Sequence, residues 1–277
     1  MLLLDTLYQH VLADTFPSEV RTEEKWMSEY RSRLCRYYDS RYRSNGTMSV
    51  YAKADSVLNE GGRLLELGNK WTTMDMIVTN DAELTFGRCR EYGMLSQVIN
   101  HCESEEAKEL VYQEWAMYEK MLKKIGLLAF DMVSLNYWGG SIIGPAGTAS
   151  YLKIQKSRIR MYKAILDIME GEGWVENGVP MENAARYLFD SCSKAIDRIV
   201  KEDGEFFREY GGKESVGFYD TVRESHATIK EIRPIINKWV ILMDKVDEEL
   251  THDSTRHFVE RAAAYMLMQW ASIITER

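Results

Sequence analysis

Between Glu105 and Val133 the chain places apolar residues at Ala107, Leu110, Val111, Trp115, Tyr118, Leu122, Ile125, Ala129, Met132 and Val133. They recur every three to four residues, which makes one apolar stripe on a helix rather than an alternating strand face. Ser104 stands at the N-cap position, and Glu105 and Glu106 suit the positive end of the helix dipole. A helix of this length must bury its stripe against another element. The remaining sequence offers more helices and almost no strand signal, since Val, Ile and Thr nowhere alternate between paired turns. Helical spacing recurs over 148–169, 181–200, 214–232, 235–250 and 254–275, and upstream over 2–14, 19–42, 49–68 and 72–99. The predicted fold class is all-α, an antiparallel helical bundle or array.

Proline breaks helix interiors, so Pro17, Pro145, Pro180 and Pro234 are predicted joints. Gly171 and Gly173 are expected to stop the 148–169 helix, and Asp203-Gly204 the 181–200 helix. A repeat is also readable. Glu24-Lys25-Trp26 precedes Gly46-Thr47-Met48-Ser49, and Gln113-Glu114-Trp115 precedes Gly147-Thr148-Ala149-Ser150. A third Trp-bearing helix around Trp239 precedes Asp253-Ser254-Thr255. These would be degenerate copies of one unit. The domain reading is a helical domain over 1–170 and an acidic helical region over 171–277 that could form a second subdomain.

Charge separates the two parts. Residues 1–166 balance 21 acidic against 21 basic side chains, whereas 167–277 carry 22 acidic and 14 basic, a balance of -8. Nucleic-acid affinity rests on basic surface, so no nucleic-acid partner is expected. The stripe Arg31, Arg33, Arg36, Arg41 and Arg43, with Tyr37, Tyr38 and Tyr42, is interrupted by Glu29 and Asp39. The acidic part suits a basic protein partner. No apolar run reaches the roughly 18 residues a spanning helix needs. The start, MLLLDTLYQHVLADTF, lacks a basic n-region, and Asp5 and His10 interrupt its apolar run. The expectation is an intracellular protein, or a mature form whose leader was removed.

The block from Asn80 to Leu166 carries four ordered parts. Asp81-Ala82-Glu83-Leu84 is followed by a helix bearing Trp115 and Tyr118, then by the turn Gly139-Gly140-Ser141-Ile142, then by a helix bearing Arg158-Ile159. In this order they resemble the LprI/YecT-like lysozyme-inhibitor family, over roughly a third of the chain. The resemblance implies a non-enzymatic protein that occludes the cleft of a lysozyme-like peptidoglycan hydrolase, located in the periplasm or cell envelope. It also implies a family disulfide, for which Cys35, after Trp26, stands in the expected place.

The residues themselves demand no particular chemistry. The loop Gly139 to Gly147 is glycine-rich and precedes a helix, but it lacks the Gly-Lys-Ser/Thr ending of a phosphate loop and follows no strand. A tight reversal is the simpler role. Glu249 and His252 have i, i+3 spacing, yet His10, His101, His226 and His257 have no Glu three residues before them. A di-iron bundle needs two such pairs, so no metal and no cofactor are expected. Ser141 has no nearby His and lies in no nucleophile elbow, so no catalytic residue is expected either. Cys35, Cys89, Cys102 and Cys192 contain no CxxC pair. Disulfides among them would place the protein in an oxidising compartment. Tyr137, Trp138, Gly139, Gly140, Ser141 and Ile142 form the candidate partner-binding site, because Tyr and Trp at a turn make good interface anchors. The alternative is a helical adaptor that shares only the fold.

Overall fold

The computed structural model describes residues 97–138, 140–171, 178–251 and 257–276, with isolated helical positions 80, 84, 87, 88, 91, 94 and 95 before them. Contacts divide the chain into two units, residues 1–100 and 101–277. The helices expected before residue 72, the Glu24–Ser49 copy of the repeat, Cys35 and Cys89 lie outside the described residues. So do Gly139 and Asp253-Ser254-Thr255.

Five helices build residues 101–277: α1 (Glu105–Asn136), α2 (Ile143–Met169), α3 (Met181–Tyr210), α4 (Gly212–Thr251) and α5 (Phe258–Thr275). No strand occurs among the described residues, and the helices pack on one another as an all-α bundle. None of them is long and apolar enough to cross a membrane. α1 begins as its sequence dictates: the Ser104 hydroxyl accepts the Ala107 N–H at 2.9 Å, with Glu105 and Glu106 in the first turn.

Helix α5 sits at the centre and touches the other four. Its sequence is apolar almost all round, and Val259, Ala262, Ala263, Ala264, Met266, Leu267, Trp270, Ala271 and Ile274 are buried. A helix apolar on every side has nowhere to go but inside. Residues on both sides of position 170 therefore share one core, as α1 packs chiefly on α4, and α2 and α3 both pack on α5.

Three helix ends differ from the sequence expectation. α2 starts at Ile143, ahead of the predicted 148, and takes Pro145 into its first turn. Proline is tolerated there because that N–H has no intrahelical partner. α3 runs on through Gly204 to Tyr210. Its buried face continues from Ile196 and Ile199 to Phe207, and the Tyr219 hydroxyl donates to the Gly204 carbonyl at 2.9 Å. α4 is one helix where two were expected, with Pro234 inside it. Pro234 costs on the order of 3 kcal/mol. Burial of Ile229 and Ile232 before it, and of Ile236, Trp239, Val240 and Met243 after it, offsets that cost.

A charged network threads the core. The Arg158 guanidinium on α2 is fully buried and forms a fork with the Glu114 carboxylate on α1, both N···O distances 2.6 Å. Trp239 Nε1 on α4 donates to the same carboxylate at 2.8 Å, and the Tyr162 hydroxyl donates to it at 3.3 Å. The guanidinium also donates to the Tyr162 hydroxyl and lies over the Tyr118 and Tyr162 rings, 3.9 and 4.1 Å from their centroids. Burial alone lowers the Arg158 pKa, but Glu114 and Tyr162 outweigh it and hold the group above its ordinary value. A second bond joins α5 to α2, from Trp270 Nε1 to the Ser157 hydroxyl at 2.8 Å.

Two predictions follow from this core. Glu114→Ala leaves a guanidinium buried without its counter-ion, which costs about 3–5 kcal/mol. Urea unfolding is expected to register that loss, and the double variant Glu114→Leu with Arg158→Met to recover most of it. The second concerns Glu119, whose carboxyl burial pushes up to about 8, against the pull of Arg158 and Lys123. Folded protein thus holds a proton that the unfolded chain releases above 4.5. The associated stability is complete below pH 4.5 and is lost as pH rises towards 8. Tm is expected to fall between those limits, and Glu119→Gln to flatten most of the fall. Asp131, raised to about 6 by burial and by Glu224, accounts for a remaining slope.

Candidate functional site

The turn between α1 and α2 is anchored by one side chain. Trp138 is half-buried, edge-on to the rings of Phe207 on α3 and Phe218 on α4, each 5.8 Å away. Phe207 and Phe218 stack on each other at 4.3 Å. A Cβ at residue 217 would lie 3.1 Å from the Trp138 ring, so Gly217 lets the indole approach the α4 backbone. At the other side of the turn, a Cβ at residue 147 would lie 2.3 Å from Phe130, so Gly147 lets α2 close on α1. Backbone bonds complete the reversal, Gly140 N–H to Tyr137 carbonyl at 2.9 Å and Ile143 N–H to Gly140 carbonyl at 3.3 Å.

The predicted site residues therefore divide. Trp138 is a packing anchor. Tyr137 and Ile142 are 43% and 40% exposed, and Gly140 and Ser141 face solvent beside them. Two apolar residues outside the predicted site join this corner. Phe206, 60% exposed, meets Phe207 edge-on at 5.6 Å, and Val216, 62% exposed, adjoins Gly217. Only the packing of α3 and α4 against Trp138 reveals them; along the sequence they lie more than sixty positions from the turn. The flank of the corner is acidic, with six acidic and three basic side chains over 201–220 and Glu202, Glu205, Glu209 and Glu214 exposed.

A second surface feature lies where α3 begins, α5 begins and α4 nears its end. A cleft of about 430 Å³ is lined by Val179, Met181 and Ile241 on its apolar side and by Asp244, His257 and Glu260 on its polar side. The donor atoms of these last three lie within 4.8 Å of one another, and His257 Nδ1 is 2.9 Å from Glu260 Oε2. His257 precedes α5 in the left-handed region at φ 50°, a conformation that costs a non-glycine residue about 1 kcal/mol or more. Burial raises the Glu260 pKa, Asp244 adds to the rise, and His257 opposes it. The Glu-x-x-His spacing does not pick out this group, because Glu follows His by three and Asp244 comes from another helix.

Cys102 and Cys192 are buried thiols, raised by burial to about 11 and about 12. Neither is a nucleophile at neutral pH.

No family model, no curated protein and no solved structure matches this chain.

Trp138→Ala is expected to cost about 3 kcal/mol in chemical denaturation, because it empties the joint between the turn and two helices. Tyr137→Ala, at an exposed position, is expected to stay within about 0.5 kcal/mol of wild type.

Proposed function

We propose that this protein is a non-enzymatic binding module that engages a basic protein through the Tyr137–Ile142 corner. The observation that supports the reading most is the corner itself. Tyr137, Ile142, Phe206 and Val216 expose apolar surface on a joint that Trp138, Phe207 and Phe218 hold rigid. Rigid aromatic anchors bind with little ordering cost. The acidic flank favours encounter with a positively charged partner. The family resemblance of residues 80–166 nominates a lysozyme-like peptidoglycan hydrolase as that partner, with its cleft blocked by the corner and a cell-envelope location for the complex. The buried thiols of Cys102 and Cys192 favour the second reading, a helical adaptor that presents the same corner to a different basic protein in a reducing compartment.

A peptidoglycan-clearing assay with a c-type lysozyme at modest salt separates the two. Stoichiometric inhibition is expected, weakened at least tenfold by Tyr137→Asp with Phe206→Asp, both at exposed positions. Absence of inhibition by folded protein at roughly tens of micromolar removes the hydrolase reading. The adaptor reading then stands alone.

A further inference from the structure

The Asp244–His257–Glu260 cleft lies apart from the corner, and nothing in the binding reading uses it. Carboxylates near a helix N-terminus ordinarily serve the exposed N–H groups there. That need is met by Asp247, whose Oδ1 accepts the Val259 N–H at 3.1 Å. Asp244 and Glu260 are surplus to it, and they face the cleft. Asp247 itself is 3% exposed, the Val259 and Glu260 amides both act on its carboxylate, and its charged neighbours are His257 and Asp244. Glu182 also acts on Glu260, so four carboxylates converge where His257 and Arg261 are the positive groups. Arg261 lines the cleft as well, its stem against Gly178 and its guanidinium 6.0 Å from the Phe258 ring.

We propose that Asp244, His257 and Glu260 form a binding site for one divalent transition-metal ion of the zinc type. One imidazole nitrogen and two carboxylate oxygens make a borderline donor set, which suits zinc better than magnesium or calcium, both of which take oxygen ligands. Two ligands of a tetrahedral zinc ion sit about 3.3 Å apart, given bonds of about 2.0–2.1 Å. The His257–Glu260 pair is close to that at 2.9 Å, and the Asp244 carboxylate, on the exposed side of the cleft, lies within 4.8 Å of both. The remaining coordination positions open into the cleft, where water or a small anionic ligand completes them. The ion joins α4 to the start of α5, so its binding stabilises the fold by mass action.

The test is isothermal titration calorimetry of the full chain, stripped with chelator and dialysed, against zinc, manganese, magnesium and calcium chlorides. Saturable one-to-one zinc binding is expected, stronger than magnesium or calcium binding, with a matching rise in Tm. Asp244→Asn and His257→Ala, both at exposed positions, are each expected to weaken zinc at least tenfold while leaving the metal-free circular dichroism unchanged. Three outcomes overturn the proposal. They are the absence of saturable binding, one-to-one binding that both variants keep at full affinity, and a preference for magnesium or calcium over zinc. A variant that unfolds is replaced by Glu260→Gln, which is isosteric and is read in the same way.

Discussion

The bundle is organised around a charge that it cannot release. Arg158 has no exposed surface, so its guanidinium depends wholly on partners supplied by other helices. Glu114 of α1 accepts both arms of the fork, Trp239 of α4 fixes the same carboxylate, and the Tyr118 and Tyr162 rings pack on the guanidinium. A buried ion pair is weak evidence for net stability, because desolvation offsets much of the attraction. Its stronger effect is on alternatives. Leucines and methionines along these stripes tolerate many registers. A register that slides α2 by one turn strands a guanidinium in the core, and that costs several kcal/mol. The pair therefore selects one arrangement of α1, α2 and α4 from many with similar apolar burial.

What could be read from the sequence follows from distance along the chain. The α1 stripe and its Ser104 cap involve residues within one or a few turns, and both stand as expected. Glu114, Trp115 and Arg158 also drew notice in the sequence, as parts of a repeat and a family-like signature. Nothing local said that Glu114 and Arg158 meet, because the partners come from separate helices. Local breaker rules failed at Pro234 and Gly204 for the same reason. A proline or glycine penalty of about 1–3 kcal/mol is a local quantity, and burial of the flanking face by α1, α3 and α5 outweighs it. The glycine turn was legible as a reversal. That Trp138 binds it to Phe207 and Phe218 was not, and without that joint Phe206 and Val216 have no reason to be singled out.

The two surface features sit well apart along α4. Gly217, beside Trp138, and Val240, beside the cleft, are both on α4, 23 residues apart (240 - 217). At a rise of 1.5 Å per residue that is roughly 35 Å. Trp239, which reaches Glu114, stands one residue before Val240, so the buried ion pair is tied to α4 at the cleft end of that span. Coupling between distant sites requires an element with two arrangements of similar energy. A helix tied through Trp239 to a buried ion pair is a poor candidate for such an element. Loading the cleft should therefore stiffen the start of α5 without altering the Trp138 corner. The corner and the cleft are better understood as separate loads on one frame, each positioned by helix ends, with the frame's geometry set by Glu114 and Arg158.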